Sequence, residues 1–344
     1  MTIRPLVPFR DYRMMWFALL ILICNVRLGM AEETASQNPK LQNSKLPNQA
    51  SPLERYLLVA SEGLYVIEPD GSCSWSYNPE PYKGQGWVEY DDLVYDGCAL
   101  PDNRFLIATH RYVREVDSAG TTIWEHRVKG TSEAKSCVLL PDGGVAVQDS
   151  EEQVILELER GTGKILHRIP VPAKGTNHTR YNSMRLTPEG NYLIALRAEE
   201  RFLEITREGK AIRSFPVSGL PTFALRLENG DTVCTGGFGV IRFNAAGDKL
   251  WSFTREDAAP VFPIIYATGI HDLTGGRLLI ANSDWHFMEK NQNRVQAFVI
   301  DSDRNITWTL PATAFGTWKK SETEPRTGFV EHRVCLIQPL PPGN

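Results

Sequence analysis

Apolar and polar positions recur in a fixed order along most of the chain. The copies are "CALPDNRFLIATHRYVREVDSAGTTIWEH" (98–126), "VLLPDGGVAVQDSEEQVILELERGTGKILHR" (138–168), "MRLTPEGNYLIALRAEERFLEITREGKAIRSF" (184–215), "LRLENGDTVCTGGFGVIRFNAAGDKLWSF" (225–253) and "IHDLTGGRLLIANSDWHFMEKNQNRVQAFVIDSDRNITWTL" (270–310). In each, a short apolar strand ends in a turn built on Pro, Asp, Asn or Gly. A second apolar strand such as "FLIA" follows, then a third such as "VREVD". A turn such as "SAG" leads into a fourth strand that opens near Trp or its substitute. Short strands separated by turn signals predict an antiparallel four-stranded meander, repeated. Asn103, Gly143, Gly190, Gly230 and Gly276 fall at the first turn, and Gly71, Gly120, Gly163, Gly209 and Gly247 at the last. Both residue types tolerate the positive φ of tight hairpins.

The two ends of the repeat region are incomplete. "RYLLVASEGLYVIEPDGSCSWSYN" (55–78) begins at the second strand, and "HRVCLIQPLPPGN" (332–344) supplies only a first strand and its turn. Joined head to tail, "LPPGN" and "RYLLVAS" imitate "TPEGN" and "YLIALRA". The terminal strand is therefore expected to complete the first sheet and close a ring, which covers edges that would otherwise template aggregation. Six sheets result: the joined one, then 92–129, 134–170, 180–217, 221–256 and 266–312. Trp75, Trp124, Trp251 and Trp308 recur just past the last turn, with Leu166 and Arg213 in their place in two copies. A large flat side chain there is expected to fill the gap between neighbouring sheets.

Over 55–344 the sequence resembles the six-bladed β-propellers of the broad PQQ-like, quinoprotein-type repeat superfamily. The piece "EVDSAGTTIW" is similar to that family's Asp…Gly…Trp repeat ending, and "HDLTGGRLLIAN" (271–282) resembles the repeat of arylsulfotransferase-type propellers. The resemblance implies an all-β fold of four-stranded blades. Quinone-binding members usually have eight blades and a regular set of docking tryptophans, so PQQ is not expected here. No cofactor is expected, with calcium as the alternative.

Before the repeats, Arg4, Arg10 and Arg13 precede the apolar run Met14–Cys24. Gly29 and Ala31 then make a small-residue cleavage pattern. Residues 1–31 read as a signal peptide, with an uncleaved anchor as the rival. Residues 32–54, rich in Asn, Gln, Ser and Pro, read as a flexible linker, leaving 55–344 as the propeller. The protein is thus expected to be exported, periplasmic or secreted, with no stable membrane span after cleavage. Cys73, Cys98, Cys137, Cys234 and Cys335 match no zinc or redox spacing and are expected to be buried thiols. A formal net charge of −4 offers no basic stripe for nucleic acid.

In such a meander the first and last turns share one face. The middle turn and the connector between blades share the other, and here that other face carries the long irregular loops. Binding residues concentrate on such loops. His110, Arg111, His178, Arg180, Asn182, Trp285, His286, Trp318, Glu331 and Arg333 fall in or beside them and form the candidate ligand-binding set; Tyr82 and Trp87 add loop aromatics. Imidazole and guanidinium groups around a channel mouth suit a sulfate, phosphate or carboxylate. Asp96, Asn182, Asp272 and Glu331 are the oxygen donors that calcium would use. The expected role is a binding module for a small anionic or sugar-like ligand, or for a protein partner. Two alternatives stand beside it. One is an arylsulfotransferase-like or hydrolytic enzyme using His178, His271 or His332, and the other is a scaffold in an envelope assembly.

Overall fold

A computed structural model describes residues 51–79, 93–283, 295–311 and 334–341. Blade 1 opens with β1 (Tyr56–Ala60), β2 (Gly63–Ile67) and β3 (Cys73–Tyr77). Blade 2 is β4 (Val94–Leu100), β5 (Arg104–Thr109), β6 (Tyr112–Val116) and β7 (Thr122–Arg127). Blade 3 is β8 (Cys137–Leu139), β9 (Val145–Asp149), β10 (Val154–Leu158) and β11 (Ile165–Pro170). A single helical turn, α1 (Asn177–Arg180), leads into blade 4: β12 (Tyr181–Leu186), β13 (Tyr192–Leu196), β14 (Arg201–Ile205) and β15 (Ala211–Pro216). Blade 5 is β16 (Pro221–Arg226), β17 (Thr232–Gly236), β18 (Gly239–Phe243) and β19 (Lys249–Phe253), followed by the turn α2 (Arg255–Ala258). Blade 6 is β20 (Ala267–Leu273), β21 (Arg277–Asn282), β22 (Val295–Ile300) and β23 (Ile306–Pro311). The last strand, β24 (Val334–Pro339), returns to blade 1.

The closure is a backbone ladder. Tyr56 pairs with Pro339, Leu57 with Gln338, Leu58 with Ile337 and Val59 with Leu336, and one bulge precedes the pairing of Ala60 with Val334. The Leu340 N–H extends it by donating to the Arg55 carbonyl at 2.8 Å. All six sheets then have four strands, with the first strands touching one another around the axis. The second and third strands are almost wholly buried, because both faces of each blade meet a neighbour. Six apolar clusters form, one at each blade interface; Leu58, Ile67 and Ile337 of blade 1, for example, meet Leu279, Val299 and Trp308 of blade 6.

Every fourth strand joins its sheet through the same irregularity. The register slips by one between Val66 and Ile67, Glu115 and Val116, Glu157 and Leu158, Glu204 and Ile205, Arg242 and Phe243, and Val299 and Ile300. An extra residue on the outer strand is thereby pushed out of the ladder. In four successive blades that residue is apolar and exposed: Ile123, Leu166, Ile212 and Leu250.

This slip corrects one expectation. Leu166 does not replace the tryptophan of blade 3. His167 pairs with Glu157 as Trp124 pairs with Glu115, while Leu166 is the extruded residue, 49% exposed. The tryptophans themselves fill blade interfaces as expected. Trp75 stacks on Phe105 of blade 2 at 3.9 Å and donates its indole N–H to the Ser118 carbonyl, and Trp124 and Trp308 are buried. Where tryptophan is missing, Arg213 spans the interface to the Ala245 carbonyl of blade 5. Arg304 replaces glycine at the last turn of blade 6 with φ of 69°, a left-handed backbone that costs a side-chain-bearing residue energy.

A second correction concerns the cysteines. Cys137, Cys234 and Cys335 are buried thiols and Cys98 is partly covered, but Cys73 is exposed. It opens β3, an outer strand that has solvent on one side.

Buried carboxylates tie three blades to the next. Glu115 accepts from Arg160 of blade 3 at 2.8 and 2.9 Å, and Glu157 accepts from Arg207 of blade 4 at 2.6 and 2.7 Å. Glu204 accepts from Arg226 of blade 5 at 2.5 Å. Each glutamate holds the same place on the third strand of its blade. Among the described residues, no helix is long and apolar enough to cross a membrane.

Removing residues 332–344 strips blade 1 of β24, taking away the buried side chains of Val334, Leu336 and Ile337 and baring the edge of β1. At about 1.5–3 kcal/mol per buried aliphatic side chain, the melting temperature is expected to fall by about 10 °C or more. Scanning calorimetry of the truncated protein checks this, and an unchanged transition would contradict the closure.

Candidate functional site

The inner strands enter at the loop-rich face, and their first residues surround a cavity of about 60 Å³ on the axis. All six blades contribute: Cys335 from blade 1, Tyr95 from blade 2, Lys135 from blade 3, Asn182 and Ser183 from blade 4, Phe223 from blade 5 and Thr268 from blade 6. At about 15 Å³ per water, the space holds about four waters, the size of a three- or four-carbon molecule. Most polar groups of the wall are spent on knitting the inner strands together. The Asn182 amide donates to the Pro221 carbonyl at 2.6 Å, the Ser183 hydroxyl to the Thr222 carbonyl and the Thr222 hydroxyl to the Ala267 carbonyl at 2.7 Å. Farther along β4, Asp96 takes two bonds of 2.7 Å from Arg185 and one of 2.6 Å from Ser136, while Arg185 lies 3.8 Å from the Phe223 ring.

At the rim, four chain segments bring charged groups together. His110 sits on the tight β5–β6 hairpin, 5% exposed, its ring 4.2 Å from Tyr95. Glu133 and Lys135 lie in the connector into β8. The N–H groups of Ala134 and Lys135 donate to the carbonyls of His110 and Thr109, which pulls the connector against the hairpin. Lys135 thereby adopts φ of 38°, a strained value for a side-chain-bearing residue. His178 projects from α1, whose start is fixed by a reciprocal cap between Thr176 and Thr179. Arg197 begins a single 3₁₀ turn in the β13–β14 hairpin.

Glu133 is the hub. Its carboxylate lies 2.8 Å from the Lys135 ammonium, 3.2 Å from Nδ1 of His178 and 3.9 Å from Nε2 of His110. The tautomer of His178 follows from its other neighbour. Arg197 Nη1 stands 3.4 Å from His178 Nε2, and an arginine only donates. Nε2 is therefore the acceptor, and Nδ1 carries the hydrogen and donates to Glu133. The bond to Glu133 pulls the His178 pKa up, but burial and the charges of Lys135 and Arg197 outweigh it, leaving a net lowering and a neutral ring. Burial pushes the Glu133 carboxyl up, while the His178 bond and the Lys135 charge hold it well below the usual range. Burial lowers Lys135 to about 8, with Glu133 opposing and Arg197 adding to the shift.

The reactive nitrogens and oxygen of His110, Glu133 and His178 lie within 4.8 Å of one another, a separation that suits a metal ion. Lys135 already supplies a cation beside Glu133 and Arg197 stands on His178. A divalent ion would enter against two fixed positive charges.

Of the residues singled out from the sequence, His110 and His178 meet at this rim, ring centroids 5.7 Å apart, and Asn182 lines the cavity below. Arg111 and Arg180 brace loops. Arg111 donates to the carbonyls of Gly130 and Ser132, and Arg180 to those of Ala173, Ser150 and Gly175. His271 lies four residues along β20 from its mouth end, about 13 Å away at strand rise, and burial alone lowers its pKa. Asp272 is farther still along that strand. Tyr82, Trp87, Trp285, His286, Trp318, Glu331, His332 and Arg333 lie outside the described residues. The groups missed were Glu133, Lys135, Arg197 and Tyr95. One signal was available for the first two: an acidic and a basic residue, two apart, sit at the entry to an otherwise apolar inner strand in "TSEAKSCVLL".

Solved structures share the architecture. A protein of unknown function from Bacteroides caccae superposes with a TM-score of 0.68 at 20% identity, over 83% of this chain and 98% of that one. The fold is a six-bladed β-propeller. A catalytically inactive His-to-Ala variant of virginiamycin B lyase from Staphylococcus aureus, solved with quinupristin, gives a TM-score of 0.54 at 13% identity, over 76% and 86% of the two chains. A streptogramin B lyase gives 0.53 at 13%, over 75% and 84%. At these identities the likeness is one of fold. No protein-family model matches the chain, and no curated protein matches it.

The rim makes a stability prediction. Lys135 is 4% exposed, so Glu133→Ala leaves a buried ammonium without its counter-charge. Breaking a buried pair from one side costs about 3–5 kcal/mol. Urea unfolding of E133A is expected to show a loss of that size, and E133A combined with K135M should recover most of it. Additive losses would disprove the coupling.

Proposed function

We propose that this propeller is a ligand-binding module that takes a small carboxylate-bearing molecule into the axial cavity at its loop-rich mouth. Unspent positive donors carry the reading. The wall hydroxyls and amide donate to backbone carbonyls, whereas Arg197 Nε is buried without a hydrogen-bond partner among the described residues and Arg197 lines the cavity. Lys135 gives two of its three donors to Glu133 and to the His178 carbonyl, which leaves one for a ligand. With His178 neutral, Lys135 and Arg197 set against Glu133 leave an excess of one positive charge among these groups. That arrangement favours an anion, and a guanidinium matches a carboxylate in two-pronged fashion. The N-terminal Arg residues, the apolar run Met14–Cys24 and the Gly29/Ala31 pattern support export of this module.

A second reading, proton-transfer catalysis on the bound ligand, is favoured by one observation. Glu133 fixes the tautomer of a neutral His178, the arrangement that orients an imidazole as a general base. Nε2 becomes available to substrate once Arg197 turns from it to a carboxylate.

Calorimetric titration of the protein with L-lactate tests the binding reading. A charge-assisted bond is worth about 1.5–3 kcal/mol, so Arg197→Met is expected to weaken binding roughly 10- to 150-fold. Binding should also fall as the pH rises through about 8, because Lys135 discharges there and the cavity loses a positive charge. Equal affinity of the wild type and R197M, or no binding at all, overturns the reading.

A further inference from the structure

We propose that Lys135 is a nucleophile that forms a reversible imine with the carbonyl carbon of a small 2-oxo carboxylate held in the axial cavity. This rests on the anion-binding reading above and names the ligand class more narrowly. Three features converge on it. The Lys135 side chain is almost wholly buried, yet it lines an axial cavity large enough only for a molecule of a few carbons. Its backbone is fixed in a left-handed conformation by bonds to the β5–β6 hairpin, so the amine is presented from a rigid wall. Arg197, on the same cavity, supplies the cation that would anchor a neighbouring carboxylate. A 2-oxo acid carries its carboxylate and its electrophilic carbon on adjacent atoms, which suits two nitrogen groups facing one small space.

The groups around Lys135 set its reactivity. Glu133 from the same connector lies 2.8 Å from Nζ, His178 comes from α1, His110 from the β5–β6 hairpin, Arg197 from the β13–β14 hairpin and Tyr95 from β4, its ring 5.8 Å away. Burial and the nearby Arg197 charge disfavour the ammonium, and an amine that loses its proton near neutral pH is the form that attacks a carbonyl. In the first step the amine, its proton given up to solvent, attacks the ligand's C2. The C–N bond forms, the carbonyl π pair moves to oxygen, and a proton passes from the nitrogen to that oxygen, giving a neutral carbinolamine. In the second step the hydroxyl, protonated again, leaves as water while the nitrogen lone pair closes the C=N bond. Nothing is oxidised or reduced. The resulting iminium stands against Glu133, which already balances the ammonium.

The test is reductive trapping on the full chain. The protein is incubated with pyruvate, reduced with sodium borohydride and mapped by peptide mass spectrometry. A single reduced pyruvate adduct is expected on Lys135. It should be absent in Lys135→Met (whose folding is checked by circular dichroism) and largely lost in Arg197→Met. L-lactate, which has the carboxylate without the carbonyl, should leave no adduct and should protect Lys135 from pyruvate. At saturating pyruvate, where the weaker binding above pH 8 no longer limits occupancy, adduct yield at short times should rise as the pH passes about 8. If lactate and pyruvate bind by calorimetry but Lys135 stays unlabelled, the imine is overturned and the anion site stands. If neither binds, both fall. Labelling spread evenly over surface lysines and indifferent to lactate also overturns the imine.

Discussion

The pairing of β1 with β24 is the constraint on which the rest of the molecule depends. A propeller blade is buried on both faces, so each blade is stable only between two neighbours, and an open stack of blades would have two unsatisfied ends. Residues that are hundreds apart in sequence, Leu58 and Ile337 for instance, must find each other before that condition is met. Once they do, the inner strands of all six blades converge on one axis, and the cavity exists only because they converge. Its lining is drawn from every blade, so the site belongs to the closed ring and to no individual repeat.

Within the ring, polar contacts settle what apolar packing leaves open. Aliphatic interfaces between blades tolerate sliding, because dispersion has little directionality. Glu115, Glu157 and Glu204, each buried and each holding an arginine of the following blade, fix the angle at which that blade arrives. Asp96 does the same nearer the axis, where Arg185 from two blades away and Ser136 from the next share its carboxylate. A buried ion pair is weak evidence for added stability, but it is demanding in geometry. These contacts therefore bear more on how each blade is oriented than on how tightly the protein holds together.

The architecture was legible because its signals are local. Turn residues and strand lengths repeat in register, and the missing first strand at one end matches the surplus strand at the other. The error over Leu166 arose because a bulge cannot be seen in a list of residues: the extruded position and the inward one are adjacent, and only the ladder tells them apart. The site was legible only in part, for the same kind of reason. His110 and His178 stood out by lying in or beside the loops of one face, but Arg111 and Arg180, close by in the chain, turn their guanidinium groups onto backbone carbonyls. Whether a cation faces a cavity or a carbonyl depends on a few dihedral angles. The Lys135 backbone conformation, which puts the amine at the wall, is set by hydrogen bonds to a hairpin in another blade.

The repeated bulge on the outer strands has a consequence for how molecules of this protein meet. Each blade ends in a strand whose far side offers unpaired N–H and C=O groups, and several of these strands also display an extruded aliphatic residue. A flat rim of that kind would invite copies to zip together side by side. A bulge adds local twist to its strand and is one of the devices by which edge strands avoid pairing with another chain. The same irregularity that hides in the sequence thus works against edge-to-edge pairing around the circumference.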